Sequence, residues 1–202
     1  MKREGIVFII SAPSGAGKTS LCKEIIDIFP DLGHSISYTT RPRRSGEVDG
    51  KDYHFVSSET FRRMIDEGAF AEWAEVHDNR YGTALRTLEQ FREQGVDILL
   101  DIDCQGAEQL RRTDPDGVHI FIVPPSLEEL RRRLEGRRTD SAEVIERRIA
   151  NARGEICRAG EYDYIVVNDD FPQAVEELKS IITAEGCRSS RLLKAVKEKF
   201  GV

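Results

Sequence analysis

No run of apolar residues in the chain approaches the roughly 20 that a bilayer-spanning helix needs. The amino terminus passes almost at once into Ile6-Val7-Phe8-Ile9-Ile10. No membrane-spanning helix is therefore expected, and the cytoplasm is the expected compartment. Cysteine is scarce: Cys22, Cys104, Cys157 and Cys187 stand at no short paired spacing. That excludes a cysteine-built metal site and leaves buried or inert thiols as the expectation. Positive charge is not in excess either. The 30 Lys and Arg face 36 Asp and Glu, for a formal net charge of -6. A long nucleic-acid backbone usually asks for a net basic face, so no nucleic-acid partner is expected. The 202 residues suffice for one α/β domain whose core needs neither metal nor disulfide.

What is present is sharper. Ala12-Pro13-Ser14-Gly15-Ala16-Gly17-Lys18-Thr19 is a glycine-rich turn ending in Gly-Lys-Thr. It follows an apolar strand pattern and precedes a helical stripe of Leu21, Cys22, Ile25, Ile26 and Phe29 that stops before Pro30. Such a P-loop wraps backbone N–H groups around phosphate, aims a lysine at it and offers a hydroxyl to Mg²⁺. Ala12 stands where the full consensus has glycine, which the turn tolerates if φ is negative there. A nucleoside triphosphate is the expected ligand.

Core strands are expected at 6–11, 96–101, 118–123 and 164–167, separated by helical patterns at 19–29, 85–94, 127–134, 142–158 and 173–184. Short apolar strands alternating with helices predict a parallel sheet covered on both faces. Ser126 with Glu129 forms a capping box, and Asp140 with Glu143 can serve the next helix similarly. The last residues predict a further amphipathic helix with Leu192, Leu193, Val196 and Phe200 on one side. Two stretches break the alternation. Residues 35–84 read as strands joined by turn-rich loops, an inserted, partly antiparallel lobe. The polar, Arg-rich connection at 135–140 stands where a lid could close.

The second core strand, read as Ile98-Leu99-Leu100-Asp101-Ile102-Asp103, puts two carboxylates at the sheet edge where ligands bind in this architecture. Asp101 is placed to hold Mg²⁺ beside Thr19, directly or through water, and strand alternation would put Asp103 on the same face. The plainer alternative is a pair of polar residues ending a strand. Arg137 in the lid and Arg148 on the next helix are candidates to neutralise a migrating phosphoryl group, with an ordinary surface reading open for each; Arg148 recurs with Glu155 on one helical face. In the lobe, Arg41 and Arg44 can chelate an anion with the hydroxyls of Tyr53 and Tyr81, or can be solvated surface charge. Glu72 lies in the otherwise apolar Ala71-Glu72-Trp73-Ala74. Guanine offers N1–H and N2–H₂ side by side, a pair that a carboxylate can accept and that adenine lacks. That chemistry alone does not place a base at Glu72.

With these residues in view, the chain resembles the guanylate kinase family over roughly residues 5–185. The resemblance is carried by residues 11–18, by Ser37-Tyr38-Thr39-Thr40-Arg41-Pro42-Arg43-Arg44-Ser45-Gly46-Glu47, and by Gly50-Lys51-Asp52-Tyr53-His54-Phe55. Glu72-Trp73-Ala74, Tyr81-Gly82-Thr83, Asp101-Ile102-Asp103-Cys104-Gln105-Gly106 and Val167-Asn168-Asp169-Asp170 extend it. The resemblance implies one domain over 1–202, with a P-loop core, a GMP-binding lobe at 35–84 and a lid at 135–148. It implies ATP-dependent phosphorylation of GMP, and of dGMP, within purine nucleotide metabolism, with ATP as donor and Mg²⁺ as cofactor. By the same resemblance Ser37, Glu72, Thr83 and Asp103 read the base. Arg41, Arg44, Tyr53 and Tyr81 clamp the monophosphate, and Glu47 orients the clamp. Lys18, Arg137 and Arg148 surround the migrating group, and Asn168 lies near the ATP base or lid hinge. The lid departs from the family's common Gly-Arg-Gly-Thr-Glu by carrying Arg138 at the second glycine. Two rival readings are a non-catalytic relative that binds a phosphorylated peptide and a P-loop kinase for another nucleoside monophosphate. Lys18, Thr19, Asp101 and Arg137 argue against the first; Glu72 and the Thr-Thr-Arg phrase argue against the second.

Overall fold

A computed structural model describes residues 4–76, 78–136 and 140–202. The chain is α/β, with two sheets of different character. The first is five-stranded and wholly parallel. Its strands are β1 (Val7–Ser11), β2 (Gly33–His34), β7 (Ile98–Asp101), β8 (Val118–Val123) and β9 (Tyr164–Val167), in the spatial order β2-β7-β1-β8-β9. All four expected core strands are present, and the two-residue β2 extends one edge.

β1 shows why this sheet is a core. Every residue of Val7-Phe8-Ile9-Ile10-Ser11 is buried. Side chains alternate between faces, so Phe8 and Ile10 pack with Leu21, Ile25, Leu178 and Ile182 of α1 (Lys18–Ile28) and α7 (Phe171–Gly186). Val7 and Ile9 face the other way, onto Leu88 of α3 (Leu85–Gln94) and Ala107 and Leu110 of α4 (Cys104–Thr113). The run is apolar rather than alternating because both faces are covered. The chain leaves β1 toward β2 on one side and reaches β8 on the other, which opens a crevice at the carboxyl ends of β1 and β7.

The second sheet is mixed, in the order β4-β3-β6-β5. It comprises β3 (Tyr38–Thr39), β4 (His54–Phe55), β5 (Phe70–Val76) and β6 (Asn79–Ala84); β3 pairs parallel to β4 and antiparallel to β6, and β5 and β6 form a hairpin. A helix unforeseen in the sequence, α2 (Ser58–Asp66), lies between β4 and β5, capped by Ser57 through Thr60 N–H at 3.1 Å. The sheet is tied to the core through α4. Gln109 accepts from the Trp73 N–H at 3.2 Å and donates to the Trp73 carbonyl at 2.6 Å.

α5 (Leu127–Gly136) and α6 (Ala142–Cys157) share a small apolar cluster of Leu130, Leu134, Ile145, Ile149 and Ala152. The expected capping box of α5 is half made. Ser126 Oγ accepts from Glu129 N–H at 3.0 Å, but the Glu129 carboxylate turns to Arg132 and Arg133 instead of back to the cap. Ser141, not Asp140, caps α6, and Asp140 accepts from Arg148 at 3.4 Å. In α8 (Ser189–Phe200) the buried contact is Ala195, while Leu193 and Phe200 are exposed. The pattern found the helix but misassigned part of its inner face: Arg191 anchors it instead, 3.6 Å from buried Glu185 and bonded to the Asp116 carbonyl at 3.2 Å. Cys22 and Cys104 are buried, but Cys157 and Cys187 are exposed.

Candidate active site

Local backbone chemistry builds the loop between β1 and α1. Gly15 and Gly17 adopt φ +97 and +96, a region that residues with a Cβ rarely enter. Ala12 is not among the residues with positive φ, so its departure from glycine is accommodated. Gly17 precedes α1 in a left-handed conformation, and no side chain caps the helix. Its first N–H groups are thus left for an external acceptor, where the helix dipole favours negative charge.

A cavity of 510 Å³ opens over this loop, within the size range of small-molecule sites. Its wall includes Ala12, Pro13, Ser14, Gly15, Gly17, Lys18 and Thr19, with Asp101 and Asp103 from the end of β7 and beyond. Lys18 Nζ lies 2.5 Å from Asp101 Oδ1 and donates to the Ile102 carbonyl at 2.6 Å. Burial works against its charge, but Asp101 outweighs burial and the Lys18 pKa is raised. Asp103 does not share a strand face with Asp101, because β7 ends at Asp101. Instead it caps α4, accepting from Gly106 N–H at 2.8 Å, and still reaches the cavity wall. Arg148, from α6, donates to Ser14 Oγ at 3.0 Å and so stands against the loop. Its buried Nε has no partner.

The opposite wall comes from the second sheet: Ser37, Tyr53, Glu72 and Tyr81 line the same cavity. Strand alternation in β5 buries Glu72 and Ala74 and turns Trp73 outward. Glu72 is only 4% exposed. Burial drives its pKa up to about 7, although Thr83, which pairs with it across the hairpin, offsets part of the rise. The Thr83 hydroxyl itself is buried and lacks a hydrogen bond of ordinary geometry, as does that of Ser35. Gly106 makes the close approach possible, since a Cβ there would sit 2.3 Å from Glu72 Oε2.

Arg41 and Glu47 form a bidentate pair at 2.6 and 3.1 Å, and Glu47 also accepts from the Arg44 N–H at 2.7 Å. Hydrogen bonding to Arg41 holds the Glu47 pKa low. The Arg41 guanidinium lies 5.4 Å from the Tyr53 ring centre and 5.7 Å from that of Phe55. Arg44 is exposed, and Arg41, Arg44, Glu47 and Thr83 are outside the cavity lining proper. Arg137, with Arg138 and Thr139, lies outside the described residues. Asn168 is buried beneath the loop, where it donates to the Ala16 carbonyl at 2.7 Å.

Sequence reasoning gave no role to Gln105, Asn151 or Glu155, all of which line the cavity, although it set Glu155 on the helical face of Arg148. The signal was available for two of them: 148, 151 and 155 recur at helical spacing, so the face of α6 that carries Arg148 carries the others. Burial, then Asp103, pushes the Glu155 pKa up.

A parallel sheet with a glycine-rich anion loop at its switch point, faced by a second lobe across one cleft, defines a P-loop nucleotide-binding protein. A family model described as Guanylate kinase matches residues 4–185. The guanylate kinase of Syntrophotalea carbinolica is 70% identical over 192 residues, covering 95% of this chain and 91% of that protein. That of Geobacter sulfurreducens is 65% identical over 202 residues and covers 100% of both. The crystal structure of guanylate kinase from Anaplasma phagocytophilum superimposes with a TM-score of 0.81 at 34% identity, covering 100% of this chain and 98% of that one. The chain belongs to the guanylate kinase family. Among the described residues no helix is long and apolar enough to cross a membrane.

Proposed function

We propose that this chain is an enzyme that transfers the γ-phosphoryl group of ATP to GMP, giving ADP and GDP, in cytoplasmic purine nucleotide metabolism. The observation that carries the reading is that Lys18 of the anion loop and the buried carboxylate of Glu72 line one cavity from opposite sides. Triphosphate chemistry and guanine discrimination therefore meet across a single space.

In this reading the loop N–H groups and Lys18 hold the β- and γ-phosphates. Lys18 exchanges its present partners, Asp101 and the Ile102 carbonyl, for phosphate oxygens. The hydroxyl of Thr19 and the carboxylate of Asp101 are hard oxygen donors that fit Mg²⁺, an ion that keeps several waters and needs few protein ligands. An ion held by these two residues would supply positive charge beside the phosphates. Arg148, with Arg137, supplies positive charge beside the migrating group.

Across the cleft, ionised Glu72 accepts from N1–H and N2–H₂ of guanine, and Ser37, Thr83 and Asp103 complete the base contacts. Arg41 and Arg44 clamp the monophosphate with the Tyr53 and Tyr81 hydroxyls, and Glu47 fixes the plane of Arg41. A GMP phosphate oxygen attacks the γ-phosphorus as the bond to the bridging oxygen breaks, and ADP leaves with that electron pair. The attacking oxygen is already anionic at neutral pH, so alignment supplies much of the effect and no strong base is required. The Glu72 contact reads the base and not the sugar, so dGMP is expected in the same place. Residues 35–84 then serve as the acceptor lobe and 135–148 as the lid of a single domain.

A panel of nucleoside monophosphates with MgATP, followed by ADP formation, tests the reading. Turnover with GMP and dGMP and little with AMP or UMP is expected. Turnover that ignores the base, or none with any monophosphate, overturns it.

A further inference from the structure

The phosphate loop is braced from below by a chain of contacts that reaches it from α5. The buried Asn168, just past β9, donates its side-chain N–H to the Ala16 carbonyl at 2.7 Å, and its own backbone N–H goes to the Val123 carbonyl at 2.8 Å. The Asn168 carbonyl in turn accepts from Arg133 at 3.0 Å. Arg133 is itself held through Nε by Glu129, at 2.8 Å, and Glu129 also grips Arg132 with both oxygens. These hydrogen bonds, Arg132 first and Arg133 next, hold the Glu129 pKa down at about 2, so the carboxylate is charged across the working pH range.

The two glycines of the loop are closed over by the same structures. A Cβ on Gly17 would come within 2.3 Å of Asn168 Nδ2, and one on Gly15 would meet Leu134 at 2.9 Å and Leu130 at 3.0 Å. Peptide planarity gives this packing a chemical consequence. In a trans peptide the carbonyl of one residue and the N–H of the next point in opposite directions. Pinning the Ala16 carbonyl down onto Asn168 therefore turns the Gly17 N–H away from Asn168, and Gly17 is one of the residues that line the cavity.

We propose that Arg133 is a positioning residue for phosphoryl transfer: by holding the Asn168 backbone it fixes the Asn168 amide under Ala16 and so aims the Gly17 N–H at the bound phosphate. Asn168 acts in this way from beneath the loop, through the Ala16 carbonyl. The inference rests on the reading that ATP occupies the loop.

Binding of MgATP, of inorganic tripolyphosphate and of GMP is measured by calorimetry for wild type, Asn168→Asp, Arg133→Gln, Arg133→Lys and the double variant Asn168→Asp with Arg133→Gln. Aspartate cannot donate to the Ala16 carbonyl, so Asn168→Asp is expected to weaken MgATP and tripolyphosphate alike by about tenfold or more. Arg133→Gln shifts both in the same direction by a few-fold, Arg133→Lys recovers part of the loss, and GMP affinity stays unchanged. The double variant loses less than the product of the single losses, because both act on one peptide.

Loss confined to ATP, with tripolyphosphate binding intact, would mean that Asn168 contacts the base, and would overturn the proposal. So would equal losses for ATP and GMP, the mark of general damage, or normal ATP binding in Arg133→Gln. Wild-type protein that binds neither ATP nor tripolyphosphate would instead bring down the donor-site reading itself.

Discussion

The two walls of the cleft differ in how far they satisfy themselves when empty. On the loop side the charged and amide side chains rest on protein partners while the first N–H groups of α1 stay open: Lys18 lies on Asp101, Asn168 on the Ala16 carbonyl, and Arg148 on Ser14 and Asp140. On the second-sheet side a carboxylate is buried at a raised pKa, and the hydroxyl of Thr83 has no ordinary partner. A phosphate site can be assembled from backbone and charge that also stabilise the resting loop. A site that must tell one purine from another needs acceptors left unsatisfied until the right donors arrive, because discrimination comes from the penalty of leaving them unpaired.

Removing Lys18 attacks the self-satisfied wall and carries the largest expected effect. Lys18→Ala should lower kcat for ADP formation with GMP by about a hundredfold or more, through loss of a charge aimed at the transition state. Its circular dichroism should stay that of the wild type. Activity within a few-fold of wild type would mean that the loop lysine is not spent on the reacting phosphates.

Glu72→Gln attacks the unsatisfied wall and should separate function from stability. The preference for GMP over AMP in kcat/KM should fall by about a hundredfold, since an amide offers guanine one acceptor and one donor in place of two acceptors. Stability should move the other way. The folded chain keeps the Glu72 proton up to about pH 7, whereas a free glutamate loses it near 4.5. Wild-type stability therefore falls between those values as pH rises and stays lower above them. The neutral amide escapes that loss, worth on the order of 3 kcal/mol as an upper bound from the size of the shift. Thermal melts of the ligand-free proteins at pH 8 should show the variant higher, with the gap closing toward pH 5. In the wild type, KM for GMP should rise as pH drops below about 7, and the variant's profile should be flat there.

A smaller effect is expected from Gly106→Ala, which places a methyl where Glu72 Oε2 now sits. KM for GMP should rise about tenfold while KM for ATP holds, because one lost charge-assisted hydrogen bond is of that size. A parallel rise for both substrates would mean that α4 itself had moved. Thr83→Val should be the mildest: removing a buried orphan hydroxyl is worth about 1 kcal/mol in the empty protein, seen as a higher melting temperature. KM for GMP should rise a few-fold. A lower melting temperature would show that the hydroxyl is bonded in the resting protein after all.

Legibility followed the range of the interaction. The anion loop could be read because its chemistry is contained in eight consecutive residues, and β1, β7 and β8 because strands covered on both faces are largely apolar; β9, at the sheet edge, leaves Ile165 and Val167 exposed and was read from its apolar run alone. α2 and α4 were missed for a common reason: α2 is mostly polar with Phe61 as its buried residue, and α4 begins directly at a strand end, where Asp103 reads as strand until its cap bond is seen. Arg41 and Glu47 are six residues apart, so their pairing is nearly local. Glu72, by contrast, owes its burial to α4, more than thirty positions on in the chain.

The order of residues alone settled the loop, the alternation of strands and helices, and the family, because each depends on local period or on a contiguous phrase. Tertiary structure decided which carboxylate loses its water and which amide supports the loop. Those outcomes depend on groups such as Asn168 and Ala16, 152 positions apart, meeting at 2.7 Å. Desolvation and hydrogen-bond geometry are properties of the packed neighbourhood, and no stretch of chain contains them before it folds.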